Sequence, residues 1–212
     1  MRAIVAADKS VAGDDMNVVQ ITAGVVVVLV VAWAVIAFNA LVRRRNEIGN
    51  AFAQIDVQFK RRYDLIPNLV ETARKYLQHE QGTLEAVTAA RQGASRAADS
   101  ARKLPADAAA IGALAGAETA LAGVLGRLMA VVEAYPELKA DATMRDLSEE
   151  LAHTENRVAF ARQAFNDAVL DYNNAAQQAP ANLVAALFGF RPAAMLESTL
   201  TESERQAPRV RF

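Results

Sequence analysis

Two histidines, His79 and His153, and the acid-rich run DLSEELAHTEN, with Asp146, Glu149, Glu150 and Glu155, are the groups whose types could do chemistry in this chain. Metal capture needs three or four convergent ligands. The histidines stand far apart and lack a spacing such as H-E-x-x-H, so no metal is expected. Two carboxylates can divide acid and base roles between them. At helical spacing, however, residues 146, 149 and 150 share a face opposite the apolar seam, where a solvated surface is the plain expectation. The glycines of GALAGAETALAGVLG match neither phosphate-cradling pattern and follow no predicted strand. Cysteine is absent, which removes thiolate chemistry and disulfide staples. No catalytic residue, metal or cofactor is expected.

A second set of charges interrupts an apolar stripe. In QIDVQFKRRYDLIPNLVETARKYL, Gln54 to Leu77, the residues Ile55, Phe59, Tyr63, Ile66, Val70, Ala73 and Leu77 recur at the period of an amphipathic helix. Arg62 falls at an inward position if that helix keeps the phase of Phe59 and Ile66, and Glu155 stands next to a seam residue, Thr154. A charge at a helix seam is costly unless paired, and such pairs are best attested as devices that fix register. Arg61 or Arg62 is therefore expected to meet Glu155. Asn156, Asn166, Tyr172 and Asn173 add polar groups along the same later helix, where side chains of these types usually satisfy backbone or cross-helix bonds. The competing reading is an enzyme or small-ligand site inside the bundle, at the kink expected of Pro67. Nucleic acid is not expected: the formal net charge is −1 and the cations lack interleaved aromatics.

The elements that must position these groups begin at a membrane. The chain has 212 residues, 53% of them hydrophobic, and Met16–Val42 carries no ionisable side chain over 27 residues. About 20 such residues cross the hydrocarbon core. A cleaved signal peptide would need a basic start and a shorter apolar core, and a soluble core helix would need a polar face; neither describes this run. Only Arg2 and Lys9 precede it, whereas Arg43, Arg44 and Arg45 follow at once, which predicts a single-pass anchor with its N-terminus outside and its bulk in the cytoplasm of a bacterial inner membrane. The arginine triplet is also a candidate contact for lipid headgroups, unless its role is topological alone.

After the span, the unbroken period across Pro67 favours one kinked helix over a new helix capped by Asp64, and this helix should fade near Gly93. A small-residue linker, QGASRAADSARKLP, then leads to a second helix opening near Asp107, whose glycines Gly112, Gly116, Gly123 and Gly126 point to close approach of a neighbour. Glu118 and Arg127 argue against a second span. Tyr135 and Pro136 end it. A third helix from near Asp141 carries a heptad seam through Met144, Leu151, Val158, Phe165 and Tyr172. The expected fold is all-α: an N-terminal single transmembrane helix followed by an antiparallel up-down-up long-helix bundle, with a short fourth C-terminal helix, NLVAALFGF, closing an open groove. The partition is a short extracytoplasmic tail (1–17), the transmembrane helix (18–42), a cytoplasmic three-helix bundle (43–180), the short helix (181–196) and a flexible tail (197–212) ending RQAPRVRF.

Gln54–Arg91, AYPELKA at Ala134–Ala140, TENRVAFARQAFNDAVLDYN at Thr154–Asn173 and LFGF at Leu187–Phe190 together resemble the LemA family of bacterial membrane proteins. The resemblance implies a short external N-terminus, one transmembrane helix and a cytoplasmic helical bundle, with no catalytic residue or cofactor to carry over. A related branch takes part in forming magnetosome membranes, which implies a role in membrane organisation. Phe52 and Phe59 stand where the family pattern has Trp and Leu, and both keep the core apolar. The expected function is a non-catalytic scaffold or adaptor that contacts the bilayer and a protein partner or a second copy. Membrane remodelling by self-assembly is the alternative of a different class.

Overall fold

The structure, a computed structural model, describes residues 2–197, with side chains described from Gln20 onward. Among the described residues the regular structure is all helix, with no strand: α1 (Arg2–Arg74), α2 (Gln81–Lys103), α3 (Ala108–Ala134), α4 (Pro136–Ala140), α5 (Ala142–Gln177) and α6 (Ala181–Leu187). The expected tail ending in Val210 and Phe212 lies outside the described residues.

α1 passes through Pro67 without ending, so Asp64 caps no new helix. Proline removes one backbone bond at about 3 kcal/mol. Ile66, Leu69 and Val70, all buried around it, supply the packing that offsets this. The helix stops at Arg74 instead, and turn bonds such as Tyr76 N–H to the Ala73 carbonyl (3.0 Å) and Glu80 N–H to that of Leu77 (3.3 Å) carry the chain into α2. Two expectations are corrected here. The first cytoplasmic helix does not run on to Gly93, and the predicted small-residue linker is the second half of α2. Its alanines, arginines and glutamine are strong helix formers that outweigh one Gly and two Ser. Four long helical stretches therefore replace the three expected.

The later boundaries follow their caps. Asp107 accepts from Ala110 N–H at 2.9 Å, Pro136 opens α4, and Asp141 accepts from Met144 N–H at 3.0 Å at the start of α5. The α3 glycines at 112, 116, 123 and 126 lie on its exposed side, and nothing stands within 4 Å of where a Cβ would be. Among the described residues they mediate no close approach, contrary to expectation.

The chain divides into two compact units. One comprises the chain through Arg43 together with Ala175–Arg191. Here Val184 and Ala185 of α6 pack with Leu41 and Ala176, against Ala34, Ala37 and Phe38. The expected closing of a bundle groove by NLVAALFGF thus gives way to packing on the end of the apolar run. The other unit comprises Arg44–Asn174 and the segment from Pro192. Its core includes Phe52 and Phe165, edge to face at 5.9 Å, with Ile55, Ile66, Leu114 and Leu128, each at most 1% exposed. α2 packs along α3.

Candidate functional site

The chemistry-bearing side chains of the larger unit converge on Arg62. Phe59 and Ile66 turn one face of α1 inward, and Arg62 lies on it, only 2% exposed. Its Nη1 donates to both Glu155 oxygens at 2.8 and 2.9 Å, and its Nη2 donates to Glu118, which also accepts from the Tyr63 hydroxyl. Phe59 stacks on Tyr63 at 6.0 Å, and its ring lies 5.7 Å from the guanidinium carbon. One cation from α1 thus meets carboxylates from α3 and α5.

Burial raises the Glu118 pKa above the ordinary carboxylate value, although Arg62 and Tyr63 pull it back. Burial first, and then the Glu118 charge, pushes Tyr63 well above a free phenol, which keeps it a donor. The native pKa of Glu118 exceeds that of an unfolded glutamate, about 4.3, so its contribution to stability is full below that pH and is lost as pH rises through the native value. Glu118→Gln removes the loss. The variant's unfolding free energy relative to the parent should therefore climb across this window in urea titrations run from pH 4 to 7, and a difference that stays flat would count against the assignment.

A second pair ties α1 to α2. Arg102 Nε and Nη2 bind Asp56 as a fork at 2.8 and 2.7 Å, with Lys60 3.3 Å from the same carboxylate. Burial pushes Asp56 upward, but Arg102 and Lys60 together outweigh it and hold its pKa below the ordinary value. Its stabilisation is present above the unfolded pKa and lost as pH falls through the native one. Arg91 Nε donates to the Tyr63 carbonyl at 2.6 Å.

Other predicted residues scatter into different roles. Arg61, half exposed, contacts Glu150 at 2.6 Å, so Glu150 is not a purely solvated acid. Asn156 is exposed and Tyr172 is buried. Asn173 exchanges two hydrogen bonds of 2.9 Å with the backbone of Ala193, and Asn166 does the same with Leu196 at 2.9 and 3.3 Å. Seven residues of helix rise about 10.5 Å, and three residues of chain reach about that only when nearly extended. The two asparagines therefore hold the segment after Pro192 as a taut strap along α5. Replacing both with alanine should free it, and hydrogen exchange at the Ala193 and Leu196 amides should accelerate by an order of magnitude or more per lost bond of about 1.5 kcal/mol. Unchanged protection would refute the clamp.

The strap lays Leu196 along a cleft of about 100 Å³ that is also lined by Arg62, Glu118, Glu155 and Arg162. Small-molecule pockets run to about 300–1,000 Å³, so this cleft suits a few waters. Among the described residues no group of three or more His, Cys, Asp or Glu could hold a metal ion. Glu118, Asp56 and Arg102 lie outside the network expected from the sequence. An acid inside the apolar stripe of α3 is a readable signal for Glu118, whereas Arg102 sits in a small-residue stretch that reads as a linker.

Ahead of this unit, α1 leaves most of its apolar run uncovered as far as Ile36. Ile21, Val25, Val28, Leu29 and Ile36 are each more than half exposed, and Arg43, Arg44 and Arg45 follow, all exposed. Arg44 also donates to the Asp171 carbonyl at 3.4 Å. A described stretch of mean hydropathy 2.9 is long enough to cross a bilayer. α3 passes the same test of length and composition, but its stripe from Ile111 to Val132 is buried and its Glu118 is paired across helices.

The sequence profile of the LemA family matches residues 51–212. The chain belongs to the LemA family. This LemA chain is similar to Magnetosome protein MamQ of Magnetospirillum gryphiswaldense, 29% identical over 169 residues that cover 73% of the chain and 62% of that protein. Magnetosome proteins MamQ 1 and MamQ 2 of Paramagnetospirillum magneticum are each 29% identical over 182 residues, 79% of the chain and 67% of theirs. The chain thus spans less than two thirds of the first of these relatives. Family membership and the bare apolar helix together make this a membrane-associated helical protein.

Proposed function

We propose that this LemA-family chain is a single-pass, non-catalytic scaffold or adaptor of the bacterial inner membrane, with its N-terminus outside and its larger helical unit at the cytoplasmic face. The observation that carries this is the exposed apolar stretch of α1 followed at once by three exposed arginines. Such a surface is unstable in water and stable in lipid, and the arginines resist translocation. Arg43, Arg44 and Arg45 then meet anionic headgroups. The larger unit is read as an antiparallel bundle, up-down-up as the seams require, with one further reversal at Lys75–Glu80. The pairs Asp56–Arg102 and Tyr63–Arg91, which run in opposite senses along α1 and α2, support it.

Arg62, Glu118 and Glu155 serve as a register lock, and Asn166 and Asn173 as clamps for the strap. The carboxylates of the small cleft are already engaged, which favours a structural role over a small-ligand or enzymatic site in that cleft, whereas the hollow of about 320 Å³ beside Pro67 is the place left to the competing reading. The partner is the bilayer together with a protein or a second copy, and no nucleic acid. The full chain should stay in the membrane pellet through alkaline carbonate, and in-cell crosslinking from the larger unit should capture a discrete protein. Release by carbonate would end the proposal. The magnetosome relatives favour a second reading, self-assembly that shapes membranes. Liposome sedimentation and imaging with purified protein would test it, and binding without assembly or deformation would exclude it.

A further inference from the structure

The run Pro180–Phe190 carries no ionisable side chain, yet it is too short to span a bilayer. Its inner side is packed: Val184 and Ala185 are about 95% buried against the helix at Ala34–Leu41. Phe188 and Phe190 both set ring edges against Phe38, at 4.9 and 5.5 Å. Gly189, at φ 71°, and the bond from Phe190 N–H to the Ala185 carbonyl (2.9 Å) end α6 and turn the chain so that both rings reach Phe38. Apart from Asn182 near the start of the helix, the outer side is apolar too. Leu187 is 79% exposed, Leu183 68% and Phe188 56%. A short helix covered on one side and facing water on the other would show polar residues outward, and this one shows leucine and phenylalanine.

Its position explains the pattern. Ala34, Ala37, Phe38 and Leu41 all lie inside the uncharged run that ends at Val42. At 1.5 Å per residue they stand about 2–12 Å to the membrane side of that end, the depth at which interfacial helices sit. We propose that α6 and Phe188–Phe190 are embedded in the leaflet next to Arg43, with Leu183, Leu187 and Phe188 in contact with acyl chains, as a second, non-spanning membrane attachment beside the span. The occupant of this face is the bilayer because the face continues a surface, the bare length of α1, that lipid must already cover.

This rests on the proposed anchoring of α1, and the test separates the two. The chain has no cysteine, so single-cysteine variants of the full protein in phosphatidylcholine–phosphatidylglycerol vesicles can each carry one nitroxide. Labels at Val28→Cys (span), Leu187→Cys and Leu183→Cys (proposed wedge) and Ala152→Cys (exposed on α5) are compared for collision with oxygen and with a water-soluble nickel chelate. The expected result is oxygen-rich, nickel-poor behaviour at 28, 183 and 187, with nickel collisions several-fold below those at 152. If 28 is lipid-like while 183 and 187 match 152, the wedge is wrong and the anchor stands. If 28 is water-accessible, the anchoring itself fails. If 183 and 187 are shielded from both reagents, a second protein surface covers this face and the lipid assignment is overturned.

Discussion

Arg62→Ala is expected to cost the fold about 3–5 kcal/mol, because it leaves Glu118 buried without its cation. The same change at Arg61, one residue earlier, should cost less than about 1 kcal/mol, since that side chain is half exposed and its ion pair is screened by water. Two neighbours in one basic run should thus differ several-fold. Urea and thermal unfolding of the full chain in detergent, followed by circular dichroism, would measure it, and the Arg62 loss should lower Tm by roughly 6–20 °C. Replacing cation and acid together, as Arg62→Leu with Glu118→Leu, should return part of the stability, because an apolar pair of similar volume needs no desolvation while the buried Tyr63 hydroxyl loses its acceptor. Exchanging Arg62 and Glu155 should rescue only in part, since a glutamate at 62 would face Glu118. Equal effects at 61 and 62 would mean that Arg62 is not the lock.

Phe165→Ala should be comparably severe, at about 3–5 kcal/mol, through lost transfer energy and a residual cavity. Phe165 is fully buried and meets the edge of Phe52, itself 1% exposed. Phe52→Ala should cost a similar amount, and the double variant should fall short of the sum by about 0.5–1.5 kcal/mol, the coupling typical of an edge-to-face pair. Strict additivity in the same unfolding assay would mean that the rings do not interact. This pair is an informative probe because it joins α1 to α5, the helices that also hold the two ends of the Arg62–Glu155 contact.

The signals that could be read in the sequence were local ones. Asp107 and Asp141 announced the starts of α3 and α5 through capping chemistry, the α5 seam kept its heptad phase, and Arg62 stood inward by the phase of Phe59 and Ile66. What could not be read was tertiary. The stretch Lys75–Glu80 has no glycine or proline, and the apolar phase runs on from Leu77 to Leu84 and Val87, so the chain reversal there left no local mark. Without a mark for that reversal, half of α2 reads as a linker, and Arg102, the partner of Asp56, lies within it. The glycines of α3 resembled a packing stripe but lie on the exposed side, because periodicity marks which residues share a face and not what faces them. Asn166 and Asn173 were recognisable as polar groups on a seam helix. Their use depended on a distant segment, Pro192–Glu197, whose backbone offered what their side chains needed.

The orientation of the anchor is the claim on which the proposed function stands, and a chain without cysteine allows one direct measurement. Ser10→Cys and Ala152→Cys, made singly in the full protein, would be exposed in intact spheroplasts to a maleimide that cannot cross the membrane. The account predicts labelling at position 10 in intact spheroplasts and at position 152 only after lysis. Labelling of position 152 before lysis, or protection of both positions until lysis, would contradict it.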